Sequence, residues 1–247
     1  MSIELPIITE SDHLARNRAL EELNAEIDVC QRCAKRGYTA ISRPIDRGRG
    51  RKRVWLIGQA PGLTEGERKM AFAGPAGRTL MKWFGSIGLS EEQVRDYFFL
   101  SAINKCYPGR ANGGGGDRNP TPVERAICRP FLLRELALLR PKITILVGSS
   151  AIKEVYGDKV KLDEIIGRRG EMTLGELYQR LETRLVKAKE ERHGLEESLQ
   201  NWFNTEAPVE VYHLPHPSGA STWLNLPQNK ALLAQALADL KERLATI

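Results

Sequence analysis

The residues best equipped for chemistry are four cysteines, the only ones in this chain of 247 residues. Cys30 and Cys33 form a Cys-x-x-Cys pair, and Cys106 and Cys128 flank a loop with the run Gly113-Gly114-Gly115-Gly116. A Cys-x-x-Cys pair grips one metal centre from two sides of a turn. Two distant cysteines then tie that turn to another part of the chain. The N-terminal MSIELPIITESDH has acidic residues and lacks the basic-then-apolar order of a secretory signal, which predicts a reducing, cytoplasmic setting. There, four cysteines in this layout read as metal ligands rather than as two disulfides. Zinc and a [4Fe–4S] cluster both accept four thiolates, so the count alone leaves both open.

Two further strings carry polar chemistry next to glycine or proline. One is Gly58-Gln59-Ala60-Pro61-Gly62, followed by Glu65 and by Phe72-Ala73-Gly74-Pro75-Ala76-Gly77. A phosphate-binding loop competes as a reading, but the Lys-Ser/Thr ending it needs is absent. The other is His216-Pro217-Ser218, a histidine held behind a strand by proline, suited to catalysis or binding and equally to a structural role. The net charge of +6 favours a polyanionic partner. A basic run, Arg47, Arg49, Arg51, Lys52 and Arg53, is spaced to follow phosphates or to sit solvated in a loop.

These groups need a scaffold. A hydrophobic content of 41% suffices for a core, and no apolar run nears the roughly 18 residues of a membrane span. Short apolar runs at 54–57, 97–103, 143–147 and 209–214 predict buried strands. Helical spacing predicts helices over 10–29, 75–88, 122–139, 149–156 and 226–245. Strands alternating with helices predict a three-layer α/β/α sandwich around a mainly parallel four-stranded sheet, in one domain over 1–247. Residues 171–206 break the rhythm. Their charge and their leucines predict a helical insertion, two helices joined near His193-Gly194, packed on the domain or reaching a partner or DNA.

Taken in order, these strings resemble the iron–sulfur branch of the uracil-DNA glycosylase superfamily, the families numbered four and five. The matching residues are Gly58-Gln59-Ala60-Pro61-Gly62 with Glu65 and Phe72-Ala73-Gly74, then Lys105-Cys106-Tyr107-Pro108. Asp117-Arg118-Asn119-Pro120 with Glu124, then Cys128 before Pro130-Phe131-Leu132, and finally His216-Pro217-Ser218 complete the set. The resemblance spans about 25–160 and 209–245. It implies a structural [4Fe–4S] cluster on Cys30, Cys33, Cys106 and Cys128, in preference to zinc. It also implies a monomeric DNA repair enzyme that flips a deaminated base, uracil first, from single- or double-stranded DNA and hydrolyses its N-glycosidic bond.

That reaction leaves an anionic base and a cationic sugar. His216 is the candidate donor to the base, Phe72 the stacking wall, and the backbone N–H groups of Gln59 and Ala60 base contacts. The loop after His216, with Ser218 and Ser221, is expected on DNA, with Trp223 as wedge or as core packing; Arg53 is expected on a phosphate. Two departures stand out. Family four has Glu where this chain has Gln59, which cannot be a general base. Its base-reading Asn falls at Ala102, and the Ser101-Ala102 pair is closer to family five. Asp117 is the first substitute carboxylate and Glu65 the second, with Gln59 left to orient water. The missing acid keeps one alternative open, a non-catalytic iron–sulfur protein that binds damaged or single-stranded DNA.

Overall fold

Residue-by-residue alternation along the strands builds the layers. The computed structural model describes residues 13–113, 116–187, 206–219 and 221–247. The strands are β1 (Val54–Gly58), β2 (Phe98–Ala102), β3 (Ile143–Val147), β4 (Arg169–Thr173) and β5 (Pro208–Leu214). They form one five-stranded sheet in the order β2-β1-β3-β5-β4. β1 pairs in parallel with β2 and β3, β3 in parallel with β5, and only β4 runs antiparallel, against β5. The helices described are α1 (His13–Asp28), α2 (Leu63–Arg68), α3 (Pro75–Ser86), α4 (Glu91–Tyr97), α5 (Pro122–Leu139), α6 (Gly148–Tyr156), α7 (Leu162–Ile165), α8 (Leu174–Lys187) and α9 (Pro227–Thr246). None is long and apolar enough to cross a membrane.

Successive strand side chains point to opposite faces. Trp55 and Ile57 of β1 therefore join a core with Leu20, Leu23 and Ile27 of α1, Phe131 and Leu136 of α5, Ile152 of α6 and Leu177 and Leu181 of α8. Val54 and Leu56 join the opposite core with Leu80 and Phe84 of α3, Val94 of α4 and Leu237 and Leu240 of α9. All of β1 and β3 is buried, which is why these strands read as continuous apolar runs. The expected three-layer sandwich is present.

The sheet has five strands, one more than the sequence predicts. β4 is an edge strand in which only Met172 is buried, and Arg169-Gly170-Glu171 offers no apolar run to find. It also takes the start of the predicted insertion into the sheet. α8 then buries Leu174, Leu177, Tyr178 and Leu181, so this half of 171–206 belongs to the helical layer and is not a projecting arm. The second predicted helix and the His193-Gly194 joint lie outside the described residues.

Candidate active site

The parallel strands β1, β2, β3 and β5 bring their carboxyl ends, Gly58, Ala102, Val147 and Leu214, to one edge of the sheet. Crevices at such edges are where open α/β sheets hold ligands. Two backbone bonds continue the β1–β2 contact past the strand ends: the Ile103 N–H donates to the Gly58 carbonyl at 2.9 Å and the Asn104 N–H to the Gln59 carbonyl at 3.0 Å. Gln59 and Ala60 leave β1 on a fixed path as a result. The Gln59 side chain accepts the Ser150 hydroxyl at 2.8 Å, which turns it toward α6.

Phe72 lies on the other side of this turn. Its φ of 54° is the left-handed region, rare for an aromatic residue and a form of stored backbone strain. Glycines on both sides permit it. A Cβ on Gly58 would stand 3.0 Å from the tip of the Phe72 ring, and one on Gly77 would fall 1.7 Å from the Phe72 carbonyl oxygen. Glu65 holds the two glycine turns together, accepting the Gly62 N–H at 3.0 Å and the Gly74 N–H at 3.1 Å. With one oxygen on each turn it is a brace, so the expectation of Glu65 as a substitute acid is corrected. Asp117 is different. It is exposed, bonded to the Tyr107 hydroxyl, and one of its oxygens stands 3.0 Å from where a Cβ on Gly62 would sit. The fold thus carries this carboxylate to the turn that begins at Gln59.

His216 closes the edge from β5. Its Cδ2 would meet a Cβ on Gly148 at 2.8 Å, and Gly148 also has a φ of 83°, so only glycine suits that position. The His216 Nδ1 receives the Ser218 backbone N–H at 3.2 Å, with the Ser218 hydroxyl 2.8 Å away. A backbone N–H can only donate. Nδ1 is therefore unprotonated and the neutral ring carries its proton on Nε2. More than a third of the residue is open to solvent, yet the surrounding protein desolvates the ring enough to lower its pKa below the ordinary histidine value. Ser218, expected on DNA, is here the group that orients His216. Ser221 is half-buried, and its N–H closes a turn onto the Ser218 carbonyl at 3.0 Å.

The expectation for Arg53 is corrected, and one of the two readings of Trp223 is selected. Arg53 is buried, and its Nε donates to the Arg140 carbonyl at 2.8 Å. It precedes β1, roughly 15 Å of strand from the site edge, so it braces the sheet and does not reach a phosphate there. Arg47 and Lys52 are engaged in the same way, Arg47 with Asp28 and Lys52 with the Leu244 and Ile247 carbonyls, whereas Arg49 and Arg51 keep exposed side chains, Arg51 beside Asp96. Trp223 packs against both cores and lies 3.2 Å from where a Cβ on Gly167 would sit, a packing residue rather than a wedge.

The four cysteines form no disulfide with one another. Cys30 follows α1, Cys33 precedes a short 3-10 turn, Cys106 follows β2 and Cys128 lies in α5, so the packing of α1 on α5 gathers them. Burial, joined by the negative charge of neighbouring cysteines, pushes the Cys33, Cys106 and Cys128 thiols up to about 12. The Lys105 backbone N–H donates to the Cys128 sulfur at 3.2 Å. Among the described residues no three His, Cys, Asp or Glu side chains stand close enough to hold a single ion.

Sequence reasoning missed a polar cleft of about 260 Å³ beside Gln59, lined by Asn104, Asn119, Arg125, Ser149, Ser150 and Lys153 among others. The signal was available in part. Gly148-Ser149-Ser150 follows β3 at the same sheet edge as Gln59 follows β1, where the same rule predicts ligand contacts.

A family model described as the uracil DNA glycosylase superfamily matches residues 45–241 of the chain. A type-4 uracil-DNA glycosylase of Archaeoglobus fulgidus is 28% identical over 138 residues, 56% of this chain and 64% of that one. One of Pyrobaculum aerophilum is 28% identical over 163 residues, 65% of this chain and 74% of its own. One of Thermotoga maritima is 26% identical over 153 residues, 62% and 74% of the two chains. The chain thus spans just under two thirds of the length of the first of these relatives.

Proposed function

The chain belongs to the uracil DNA glycosylase superfamily, and from that premise we propose that it is a DNA repair glycosylase, acting as a monomer in the cytoplasm, that flips a deaminated base, uracil first, out of DNA and hydrolyses its N-glycosidic bond. The observation that carries this reading is the fixed tautomer of His216. Departure of the base places negative charge on a base oxygen, and a donor already aimed there lowers the barrier. A neutral imidazole whose only proton is on Nε2 is such a donor, and the Ser218 N–H on Nδ1 keeps it so. Phe72, held in its left-handed conformation by Gly58 and Gly77, offers the flat wall against which a flipped base stacks. The backbone N–H groups of Gln59 and Ala60 add contacts that need no particular side chain.

The sugar side of the reaction needs negative charge and an oriented water. We assign the charge to Asp117, which the Tyr107 hydroxyl holds at the Gly62 turn. Gln59, a carboxamide bonded to Ser150, orients water and takes no proton.

Cys30, Cys33, Cys106 and Cys128 would hold the [4Fe–4S] cluster; such a cluster takes one thiolate on each iron, so four cysteines near one another fit it where, among the described residues, no three side chains grip a single ion. Three of the thiols, Cys33, Cys106 and Cys128, resist ionisation through burial and the charge of neighbouring cysteines, and a cationic centre stabilises such a donor set. The Lys105 N–H on the Cys128 sulfur supplies the outer hydrogen bond typical of ligating groups. When bound, the cluster supplies a cross-link among α1, the loop after β2 and α5.

The test is release of free base from labelled oligonucleotides carrying uracil, hypoxanthine or xanthine, in single and double strands, with iron counted on the same preparation. Release of uracil by protein holding about four irons per chain is expected. Tight binding without release of any base would favour the non-catalytic binder that Gln59, in place of an acid, leaves as the second reading.

A further inference from the structure

The cleft beside Gln59 lies on the α5–α6 side of β1, opposite Phe72. Its most telling residue is Asn104. Only 5% of it is exposed, it lines the cleft, and its side-chain oxygen has no hydrogen-bond partner. Leaving a buried polar atom unpaired costs about 1–3 kcal/mol, so a group that donated to this oxygen on entering the cleft would recover that cost. The backbone bond from the Asn104 N–H to the Gln59 carbonyl fixes the residue to the end of β1, so the position is preorganised.

The remaining lining has a definite chemistry. Gln59, Asn104 and Asn119 bring three carboxamides to one space, and carboxamides present the paired donor and acceptor that match base edges. Ile103 and Pro120 add apolar surface. Lys153 and Arg125 supply positive charge against Asp158 in the lining and Glu154 behind it, 3.9 Å from Arg125, and Ser149 and Ser150 place hydroxyls in the first turn of α6, where phosphates are favoured. Carboxamides for a base and cations with a helix start for a phosphate together describe one nucleotide.

We propose that this cleft is a second nucleotide subsite, which takes the DNA nucleotide adjacent to the flipped one, with Asn104 reading its base and Lys153 and Arg125 holding its phosphate. The proposal rests on the glycosylase reading for its ligand, a strand already threaded past His216 and Phe72. Sharing Gln59 between the two sites lets occupancy of one position the turn that serves the other.

The experiment measures affinity, so it does not depend on turnover. Full-length cluster-loaded protein is titrated by fluorescence anisotropy with a single-stranded oligonucleotide carrying a uracil nucleotide that resists hydrolysis. In parallel oligonucleotides, the base on its 5′ or its 3′ side is replaced by an abasic spacer. Wild-type protein is expected to lose roughly 10-fold in affinity for one of the two spacers. Asn104→Ala should lose a similar factor on the intact strand and nothing further on that spacer, the signature of one shared contact. Lys153→Ala should weaken all strands alike and lower the salt slope by about 1.

Asn104→Ala and Lys153→Ala binding both intact and spacer strands like wild type would overturn the proposal. A separate arm titrates wild type with thymidine 5′-monophosphate. Saturable binding lost in Asn104→Ala, with strand binding unaltered, would mean a site for free nucleotide and overturn the adjacent-strand assignment. Neighbour dependence in a protein that releases no base would retain the subsite and reject the glycosylase reading. Normal base release with no neighbour dependence would do the reverse.

Discussion

Replacing His216 and its partner Ser218 separates chemistry from placement. His216→Ala removes the Nε2–H donor outright. Loss of one preorganised donor to a developing oxyanion costs about 10²–10³ in rate, or about 2.7–4 kcal/mol. Ser218→Ala removes only the hydroxyl 2.8 Å from Nδ1 and leaves the backbone N–H at 3.2 Å, so the tautomer survives and the ring loses one of two restraints. One neutral hydrogen bond is worth about 0.5–1.5 kcal/mol, so a loss of roughly 2- to 12-fold is expected. The assay is single-turnover release of uracil from a labelled strand, with anisotropy on an uncleavable analogue measured beside it. His216→Ala should slow release with little change in strand affinity, because the charge it meets exists mainly in the transition state. The pH profile adds a check of sign. Protonation of His216 puts a second proton on Nδ1, where Ser218 already donates. Because burial lowers the His216 pKa, the neutral donor persists into acid, and the acidic fall in rate should lie below the ordinary histidine pKa of about 6.5. Equal losses of binding and rate in His216→Ala, or a Ser218→Ala defect as large as that of His216→Ala, would refute this reasoning.

Asp117→Asn should slow release by roughly 10²-fold with strand affinity held within a few-fold, and Gln59→Glu should be neutral or harmful, since two carboxylates at one turn repel; an unchanged Asp117→Asn with a faster Gln59→Glu, in the same release assay, would remove Asp117 from its role. Cys128→Ser should lower iron content and soluble yield before any effect on the rate per folded molecule, as read by iron assay and gel filtration. His213 is buried, with its Nδ1 donating to the Arg168 carbonyl and its Nε2 accepting the Tyr156 hydroxyl, and burial brings its pKa down to about 4. A pKa below that of the unfolded chain gives stability that is whole above pH of about 6.5 and lost toward pH of about 4, an effect of about 3 kcal/mol; urea melts across that window should be steeper in pH for wild type than for His213→Gln.

What the sequence discloses depends on how local the cause is. β1 and β3 were legible because burial on both faces writes an unbroken apolar run, and the family was legible because each of its motif strings is a few residues long. β4 was not, since an edge strand with a single buried residue carries no period to find. Charge misled for a similar reason. The run from Arg47 to Arg53 looks like a phosphate track, but what Arg47, Arg51, Lys52 and Arg53 meet, Asp28, Asp96 and the carbonyls of Arg140, Leu244 and Ile247, comes from distant segments. The Asn104 cleft shares that property. Its walls arrive from β1, the loop after β2, the start of α5 and the start of α6, and no single stretch announces it.

A buried polar network explains how the cysteine region and the base edge are held as one piece. The Lys105 ammonium donates to the Glu135 carboxylate at 2.8 Å, to the Ser101 hydroxyl at 2.6 Å and to the Ala102 carbonyl at 2.7 Å. Ser101 in turn donates to the same carboxylate oxygen at 2.5 Å. Burial lowers the Lys105 pKa and Glu135 opposes that shift, so the ion pair is what keeps the charge tolerable inside. Such a pair adds little net stability compared with an apolar core, and breaking it by removing one partner costs about 3–5 kcal/mol. Its value lies in geometry. Lys105 stands between Cys106 and the end of β2, and Glu135 lies two turns after Cys128 on α5. One ammonium therefore sets the spacing between two cysteines and the Ala102 end of β2. A change in the cysteine region therefore cannot move α5 against β2, or the Asn104 and Gln59 positions tied to the end of β2, without breaking that ammonium's bonds.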